Sequence, residues 1–301
     1  MPEGHTTHAL AARLDRAFAG SPVAVSSPQG KFEDGAALLD GLTMVDASAW
    51  GKHLFVQFER ERWLNVHLGL IGKFSVMRHH ANPGPDPDPE RPGMPDGRVP
   101  VEGQVRLRLL NEAWVGDLRA PTICAVITPE KVDEIRARLG PDPLRPDADP
   151  GLAFRRISRS TKPIAELLMD QAVLAGVGNV YRCEVLFRHR VDPFRPGKEI
   201  RPITWLAIWD DLVTLMPLGV AFGQIVTMDD QVADALAEVA DGSAAAHTAA
   251  VTGARLGERF ERRFYLYKRT GEPCHVCGST VRTQLIAGRN LFWCGRCQRR
   301  R

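Results

Sequence analysis

Near its C-terminus the chain reads Cys274-His-Val-Cys277, then sixteen residues, then Cys294-Gly-Arg-Cys297. No other feature restricts the fold as much. Each Cys-x-x-Cys knuckle presents two thiolates to one ion, and the intervening stretch suits a hairpin that brings the knuckles together. The expected occupant is tetrahedral Zn²⁺ with four sulfur ligands, a closed structural site with no open position for catalysis. Metal binding supplies folding free energy on the order of 10–16 kcal/mol, which so short a segment needs. Paired disulfides are the alternative, but adjacent Cys-x-x-Cys bridges are strained and nothing in the chain looks secretory.

The same end is basic. From Val251 to Arg301 there are twelve Lys and Arg against Glu258, Glu261 and Glu272, a local charge of +9 in a chain whose net charge is +3. The remainder therefore carries −6. A polyanion at the C-terminal end follows from this asymmetry, and nucleic acid is the first candidate. A charge run alone is usually a solvated face; beside a zinc ribbon it suits DNA or RNA.

The 301 residues suit two domains, or three with the finger, and the 44% apolar content allows a sizeable core in each. No apolar run approaches a membrane span and the N-terminus lacks a signal-peptide core, so the expectation is an intracellular protein without membrane contact. Cys124 and Cys183 lie in apolar contexts and read as buried free thiols.

The chain opens Met1-Pro2-Glu3-Gly4-His5. Thr6 or Thr7 can cap a helix to about Ala19, with Leu10, Leu14 and Phe18 on one face and Gly20 ending it. Pro2 and Glu3 then sit exposed just ahead of a helix, and Pro2 by itself is an ordinary lead-in residue. From Ser21 to about Thr128 the period is two. Leu54, Val56 and Phe58 alternate with Phe55 and Gln57; Leu64 and Val66 alternate with Trp63, Asn65 and His67; Val105, Leu107 and Leu109 alternate with Arg106 and Arg108. This predicts a mainly antiparallel sandwich with one polar side per sheet. Asn82–Pro100, dense in Pro, Asp and Gly, reads as a mobile loop.

Lys131–Leu139 suits a short helix, and the proline-rich segment from Gly140 to Pro150 is the best domain boundary. Beyond it the period becomes helical, at Pro163–Met169, Val180–Phe187 and Trp205–Met216. Thr227–Leu256 is alanine-rich and reads as a partly helical or mobile excursion. The turn Ala175-Gly-Val-Gly-Asn179 precedes a helix start, where free backbone N–H groups attract phosphate. Such turns more often serve geometry alone; the arginines around this one favour a nucleic-acid backbone.

These pieces occur together, in this order, in one family. Met-Pro-Glu-Gly at the start, Gly51-Lys52, Val66-His-Leu-Gly-Leu70, Leu139-Gly-Pro-Asp-Pro-Leu144, Leu168-Met-Asp-Gln-Ala-Val-Leu-Ala-Gly-Val-Gly-Asn179, and Gly288-Arg289 ahead of Phe292-Trp-Cys-Gly-Arg-Cys-Gln298 carry the likeness. The chain resembles the formamidopyrimidine-DNA glycosylases and endonucleases VIII of base-excision repair, except at Asn82–Pro100 and about Thr227–Arg259.

The resemblance implies an α+β multidomain fold. Its parts are an N-terminal β-sandwich over 1–139, a linker over 140–150, a helix-two-turn-helix domain over 151–261 and a four-cysteine zinc finger over 262–301. It also implies a monomer that binds damaged double-stranded DNA. Pro2 becomes the nucleophile. Once Met1 is removed, its secondary amine attacks the sugar C1′, expels the base and forms an iminium, as a lysine Schiff base does. Glu3 handles proton transfer at the opening sugar, and Lys52, otherwise a surface lysine, assists elimination and contacts a phosphate. Arg289 grips phosphate and serves the second elimination, while Asn179 and Arg138 hold the DNA. Leu70, otherwise a core leucine, fills the gap left by the extruded base.

Two departures favour the endonuclease VIII side, whose substrates are mostly oxidised pyrimidines. Gly4, His5 and Thr6 stand where the 8-oxoguanine branch continues Leu-Pro-Glu. Asp117-Leu-Arg119 is followed by Ala120-Pro-Thr-Ile where that branch carries an Arg-Phe pair. An 8-oxoguanine or formamidopyrimidine preference and a catalytically silent damage-binding protein are the alternatives. A zinc-ribbon protein of RNA or transcription machinery is a further one, and it leaves the N-terminal motifs unexplained.

Overall fold

Contacts divide the chain into two units, residues 1–2 with 7–136 and residues 3–6 with 137–301. The computed structural model describes residues 2–78, 100–242 and 259–299.

In the first unit, which takes α1 (Gly4–Phe18) from residue 7 on, that helix buries Leu10, Leu14 and Phe18 on the apolar stripe that its spacing predicts. After it come β1 (Ala24–Ser26), α2 (Glu33–Leu39), β2 (Met44–Trp50), β3 (His53–Phe58), β4 (Arg62–His67), β5 (Lys73–Arg78), β6 (Val105–Leu110), β7 (Trp114–Arg119), β8 (Ile123–Ile127) and α3 (Pro129–Arg138). Two four-stranded antiparallel sheets result, ordered β1-β6-β7-β5 and β2-β3-β4-β8. Leu54, Val56, Leu64 and Val66 of one sheet share a single core with Val76, Leu107, Leu109 and Leu118 of the other. The sandwich expected from period two is present.

The expectation of a polar outer side fails for the second of these sheets. Phe55 is fully buried and Asn65 nearly so, although both alternate with core residues. Here α3 supplies the cover: the Arg136 guanidinium lies over the rings of Trp50, Phe55 and Trp63 at 5.2–5.7 Å. Cation–π contact lets a charged residue act as a lid on an aromatic face. The other sheet buries a charge pair, with Arg108 donating bidentately to Asp117 at 2.7 and 2.8 Å and Arg119 donating to the same carboxylate at 3.0 Å.

The second unit holds α4 (Pro150–Ile157), α5 (Ile164–Leu167), α6 (Asn179–Arg188), α7 (Pro202–Phe222), α8 (Asp229–Ala240), β9 (Val281–Ile286) and β10 (Arg289–Cys294). The break between units at Arg136/Ala137 falls ahead of the proline-rich segment. Gly140–Pro143 are buried rather than linker-like. Gly140 N–H donates to Gln171 O at 2.8 Å and Ala175 N–H to Pro141 O at 3.0 Å, so the prolines shape a docked turn. The finger is not a separate core either, since Leu291, Phe292 and Cys294 join one cluster with α6 and α7.

α7 runs 21 residues, longer than expected, and is long and apolar enough to cross a bilayer. The expectation that no segment approaches a membrane span is corrected on length and composition. Trp205, Ile208, Leu212 and Leu215 are nevertheless buried in the core, and Asp211 of this helix accepts a bidentate hydrogen bond from Arg188. It is a core helix. The alanine-rich excursion begins with α8; its residues 243–258, and 82–99 of the Pro/Asp/Gly stretch, lie outside the described residues.

Candidate active site and zinc site

Helix α1 starts at Gly4, earlier than a Thr6 or Thr7 cap would place it. The reason is Glu3. Expected to be exposed, it is fully buried, and its carboxylate accepts from Gly178 N–H and Val180 N–H, both at 2.8 Å. Gly4 N–H donates to Gly176 O at 2.8 Å, and Glu3 O accepts from Thr6 N–H at 3.0 Å, so the chain is already turning helically at residue 4. The anion received by the free N–H groups at the start of α6 is thus Glu3 itself. The positive end of a helix and two fixed donors suit a carboxylate there.

The glycines are explained by the same contact. A Cβ on Gly178 would fall 2.3 Å from Glu3 Cδ, and one on Gly4 would fall 2.7 Å from Gly176 Cα. Gly176 also takes φ = +86°, open to glycine at no cost. Tyr181, fully buried in the first turn of α6, has its hydroxyl pKa pushed well up by burial and secondarily by Glu3.

Asn179 opens α6 and is itself buried; its side-chain amide donates to Asn290 O at 2.9 Å, next to Arg289 in the finger. Its amide oxygen accepts from Arg182, which also donates to Ala165 O at 3.2 Å and Asn290 O at 3.4 Å. Burial is the main cause lowering the Arg182 pKa. Two residues on, the fully buried Glu184 accepts from Tyr265, Leu266 and Tyr267 N–H and from the Thr227 hydroxyl, at 2.8–3.1 Å. Burial raises its pKa against the opposing pull of those donors. Glu184 therefore fixes the segment entering the finger. Sequence reasoning gives neither Arg182 nor Glu184 such a role. The available signal is two charges inside the otherwise apolar run Val180–Phe187.

Arg289 is the first residue of β10, reached through the two-residue turn Ala287-Gly288, where both φ are positive (48° and 74°). A turn of that kind matches the twist of a hairpin and sets Arg289 at its tip. The four cysteine sulfurs all lie within 4.8 Å of one another, with Cys274–Cys297 at 3.9 Å and Cys277–Cys294 at 3.4 Å. Four sulfurs about 2.3 Å from one tetrahedral ion sit roughly 3.8 Å apart, so the donor set fits Zn²⁺. Cys274, Cys277, Cys294 and Cys297 would hold it, and its chemistry is structural.

In the first unit, Pro2 is half-buried, Lys52 half-buried in the turn between β2 and β3, and Leu70 half exposed beside Ile71, which is 82% exposed. Leu70 is therefore no core leucine. His67 holds the start of its loop: Gly69 N–H donates to His67 Nδ1 at 3.1 Å and the Thr122 hydroxyl lies 2.9 Å from the same nitrogen. Burial, then His53 and Lys52, push the His67 pKa down to about 4, so the ring is neutral at pH 7. Arg138, in the second unit, is exposed at the end of α3. Cys124 is half-buried and Cys183 fully so; burial raises their pKa values to about 12 and about 11, which keeps both thiols protonated.

Residues 1–120 match the Formamidopyrimidine-DNA glycosylase N-terminal domain, 139–231 the Formamidopyrimidine-DNA glycosylase H2TH domain, and 271–300 the zinc finger found in FPG and IleRS. Endonuclease 8 1 of Mycobacterium tuberculosis (strain ATCC 25618 / H37Rv) is 46% identical over 299 residues, covering 99% of this chain and 100% of that protein. Formamidopyrimidine-DNA glycosylase of Novosphingobium aromaticivorans is 30% identical over 273 residues, 89% of this chain and 86% of that one. Among solved structures, the complex between the Lactococcus lactis Fpg and an abasic site containing DNA aligns over 99% of this chain and 100% of that one. Its TM-score is 0.74 and its sequence identity 20%, a likeness of fold alone.

Proposed function

The chain belongs to the formamidopyrimidine-DNA glycosylase and endonuclease VIII family of base-excision repair, a family of DNA glycosylase/lyases, and on that premise we propose that it excises oxidised pyrimidines through Pro2. The free secondary amine of Pro2 attacks C1′, the bond from C1′ to the base breaks, and the base leaves with a proton. Glu3 moves the proton of the opening sugar, which places an iminium on C1′. Loss of the C2′ proton then expels the 3′ phosphate. Lys52 assists this step, and Arg289 holds phosphate through the second elimination. The zinc ion takes no part beyond keeping the finger folded.

One observation carries the reading: Glu3, one bond along the chain from the nucleophile, is buried and clamped by two backbone donors of the Gly-x-Gly-Asn turn. A carboxylate ordered this firmly meets the demand that catalytic groups be positioned before the reaction begins. Asn179 and Arg138 contact the DNA backbone, and Leu70 is the wedge. The domains are the β-sandwich, the helical helix-two-turn-helix part and the finger.

For the choice of base, the 46% identity to proteins called Endonuclease 8 1 supports the pyrimidine side. So does the end of β7. Arg119 is engaged inside its own unit, donating to Asp117 at 3.0 Å and to Glu102 O at 2.9–3.0 Å, and Ala120-Pro121 follows with Ala120 at φ = +46°. These residues offer no ring or free charge to read the base left opposite the lesion. Leu70 makes no discriminating hydrogen bond, so dependence on the opposite base is weak.

Borohydride reduction in the presence of an abasic-site duplex tests the mechanism. Mature enzyme forms a covalent complex, whereas enzyme that retains extra residues ahead of Pro2 forms none, because its nitrogen is then an amide. Equal trapping by a verified unprocessed enzyme contradicts the assignment. Thymine glycol and dihydrouracil are excised well and 8-oxoguanine opposite cytosine poorly; the reverse order moves the chain to the other branch.

A further inference from the structure

At the far end of α6 from Glu3 and Asn179 the second unit has a basic cavity that the reaction does not use. Ten residues of helix, roughly 15 Å, separate the two ends. The cavity, of about 730 Å³, is lined by Arg190, Arg195, Arg201 and Arg299 together with Thr204 and a single carboxylate, Glu199. Arg201 and Arg299 are exposed and form no ion pair among the described residues. Arg190 is exposed, with its guanidinium over the Phe187 ring at 4.7 Å. Arg201 is also the N-cap of the 21-residue α7, whose first turn carries no acid and no side-chain cap. Arg190, Arg195, Arg201 and Arg299 thus bring four like charges to one concavity, and like charges repel. An anion with several charged oxygens relieves that repulsion, and arginine's planar fork suits phosphate.

Arg299 also lines a second, adjoining cavity of about 390 Å³ on the finger. Its walls include Phe194 and Trp293, whose rings meet edge to face at 5.0 Å, with Arg282, the exposed Gln284 and one carboxylate, Asp192, around them. Phe194 and Trp293 are only half-buried. Arginines beside half-exposed aromatic rings form the combination used to hold unpaired nucleotides, with bases on rings and backbone on charges. We propose that these two cavities form a second nucleic-acid site, which takes a short single-stranded segment with its phosphates among Arg190, Arg195, Arg201 and Arg299 and a base against Trp293. The paired rings favour this ligand over an acidic peptide, which needs the charges but not the aromatic wall.

The test uses enzyme already trapped by borohydride on a short abasic-site duplex, so that the first site is filled. Labelled oligo-dT is then added and its anisotropy followed across a salt series. One further equivalent of oligo-dT is expected to bind. Arg201→Glu with Arg299→Glu should trap the duplex as well as the parent, which shows that it is folded. It should bind oligo-dT on the order of tenfold more weakly, with a salt slope smaller by roughly 1.4, two phosphates at about 0.7 each. An abasic polymer of equal phosphate number should bind more weakly than oligo-dT, because base stacking is lost. No binding to the trapped complex, or binding untouched by the double substitution, overturns the proposal; so does capture of a poly-glutamate peptide in place of oligo-dT. If the parent enzyme does not trap, Pro2 chemistry fails by itself, and the same titration on enzyme saturated with the duplex still decides the second site.

Discussion

The two units bury charge in opposite ways. In the sandwich, Arg108 and Asp117 face each other across neighbouring strands and satisfy one another, with Arg119 adding a third contact. In the second unit the buried charges have few charged partners and many backbone ones. Glu3 is held by two N–H groups some 175 residues away in sequence, and Glu184 by three N–H groups about 81–83 residues away. A pair of side chains can be replaced as a pair. Backbone donors cannot be removed, so a carboxylate that serves them has no apolar substitute. The sandwich is held by its core, and the second unit is joined where charge meets main chain.

The largest break in that comparison is metal loss. Cys294→Ser should lose zinc, measured by metal analysis, and unfold the finger while the first unit keeps its hydrogen-exchange protection, since binding energy on the order of 10 kcal/mol or more is withdrawn from the second unit. Retention of stoichiometric zinc would contradict the four-sulfur site. Next comes Glu184→Leu, expected to cost about 3 kcal/mol or more, since each buried donor left unsatisfied costs about 1–3 kcal/mol, and to expose the Tyr265–Tyr267 amides to exchange. In the sandwich, Arg108→Met with Asp117→Leu should cost under about 2 kcal/mol, because both charges leave together and the half-exposed Arg119 turns to water. Equal losses in the two units would erase the distinction.

Much of this architecture is legible in the sequence because it is periodic. Leu54, Val56, Leu64 and Val66 announce the sandwich, Leu10, Leu14 and Phe18 announce α1, and the cysteine spacing announces the finger. What periodicity misses is what the joints do. Glu3 reads as exposed because a carboxylate near a terminus usually is, and its donors lie far along the chain. Phe55 and Asn65 read as an outer face because the residue that covers them, Arg136, looks like any surface arginine of a helix. The buried prolines at 141 and 143 look like a linker for the same reason: composition records flexibility but not docking. Of the candidate site, Glu3 and Asn179 are set by contacts far along the chain, while Arg182 and Glu184, which hold the turn and the finger, show in the sequence only as odd charges in an apolar helix.

A smaller effect concerns the wedge loop. Leu70→Ala should slow excision from duplex by about tenfold or more yet leave cleavage of a preformed abasic site far less affected, because unstacking costs a few kcal/mol only while a base is extruded. Equal slowing of both reactions would remove Leu70 from that role. The smallest is pH-dependent. The His67 pKa, about 4 when folded against an ordinary value near 6.5, lies below its unfolded value, so the neutral ring contributes stability that is full above pH 6.5 and is lost as pH falls toward 4. His67→Asn should flatten the fall in melting temperature over that window; an unchanged slope would show that the neutral imidazole does not hold the Gly69 turn.

The covalent bond itself gives the most direct test. Enzyme reduced by borohydride on an abasic-site duplex, digested and sequenced by tandem mass spectrometry, should carry the sugar remnant on the nitrogen of Pro2, at the first residue of the mature chain. A remnant found on Lys52, or on any other amine with Pro2 unmodified, would contradict the nucleophile and with it the role given to Glu3.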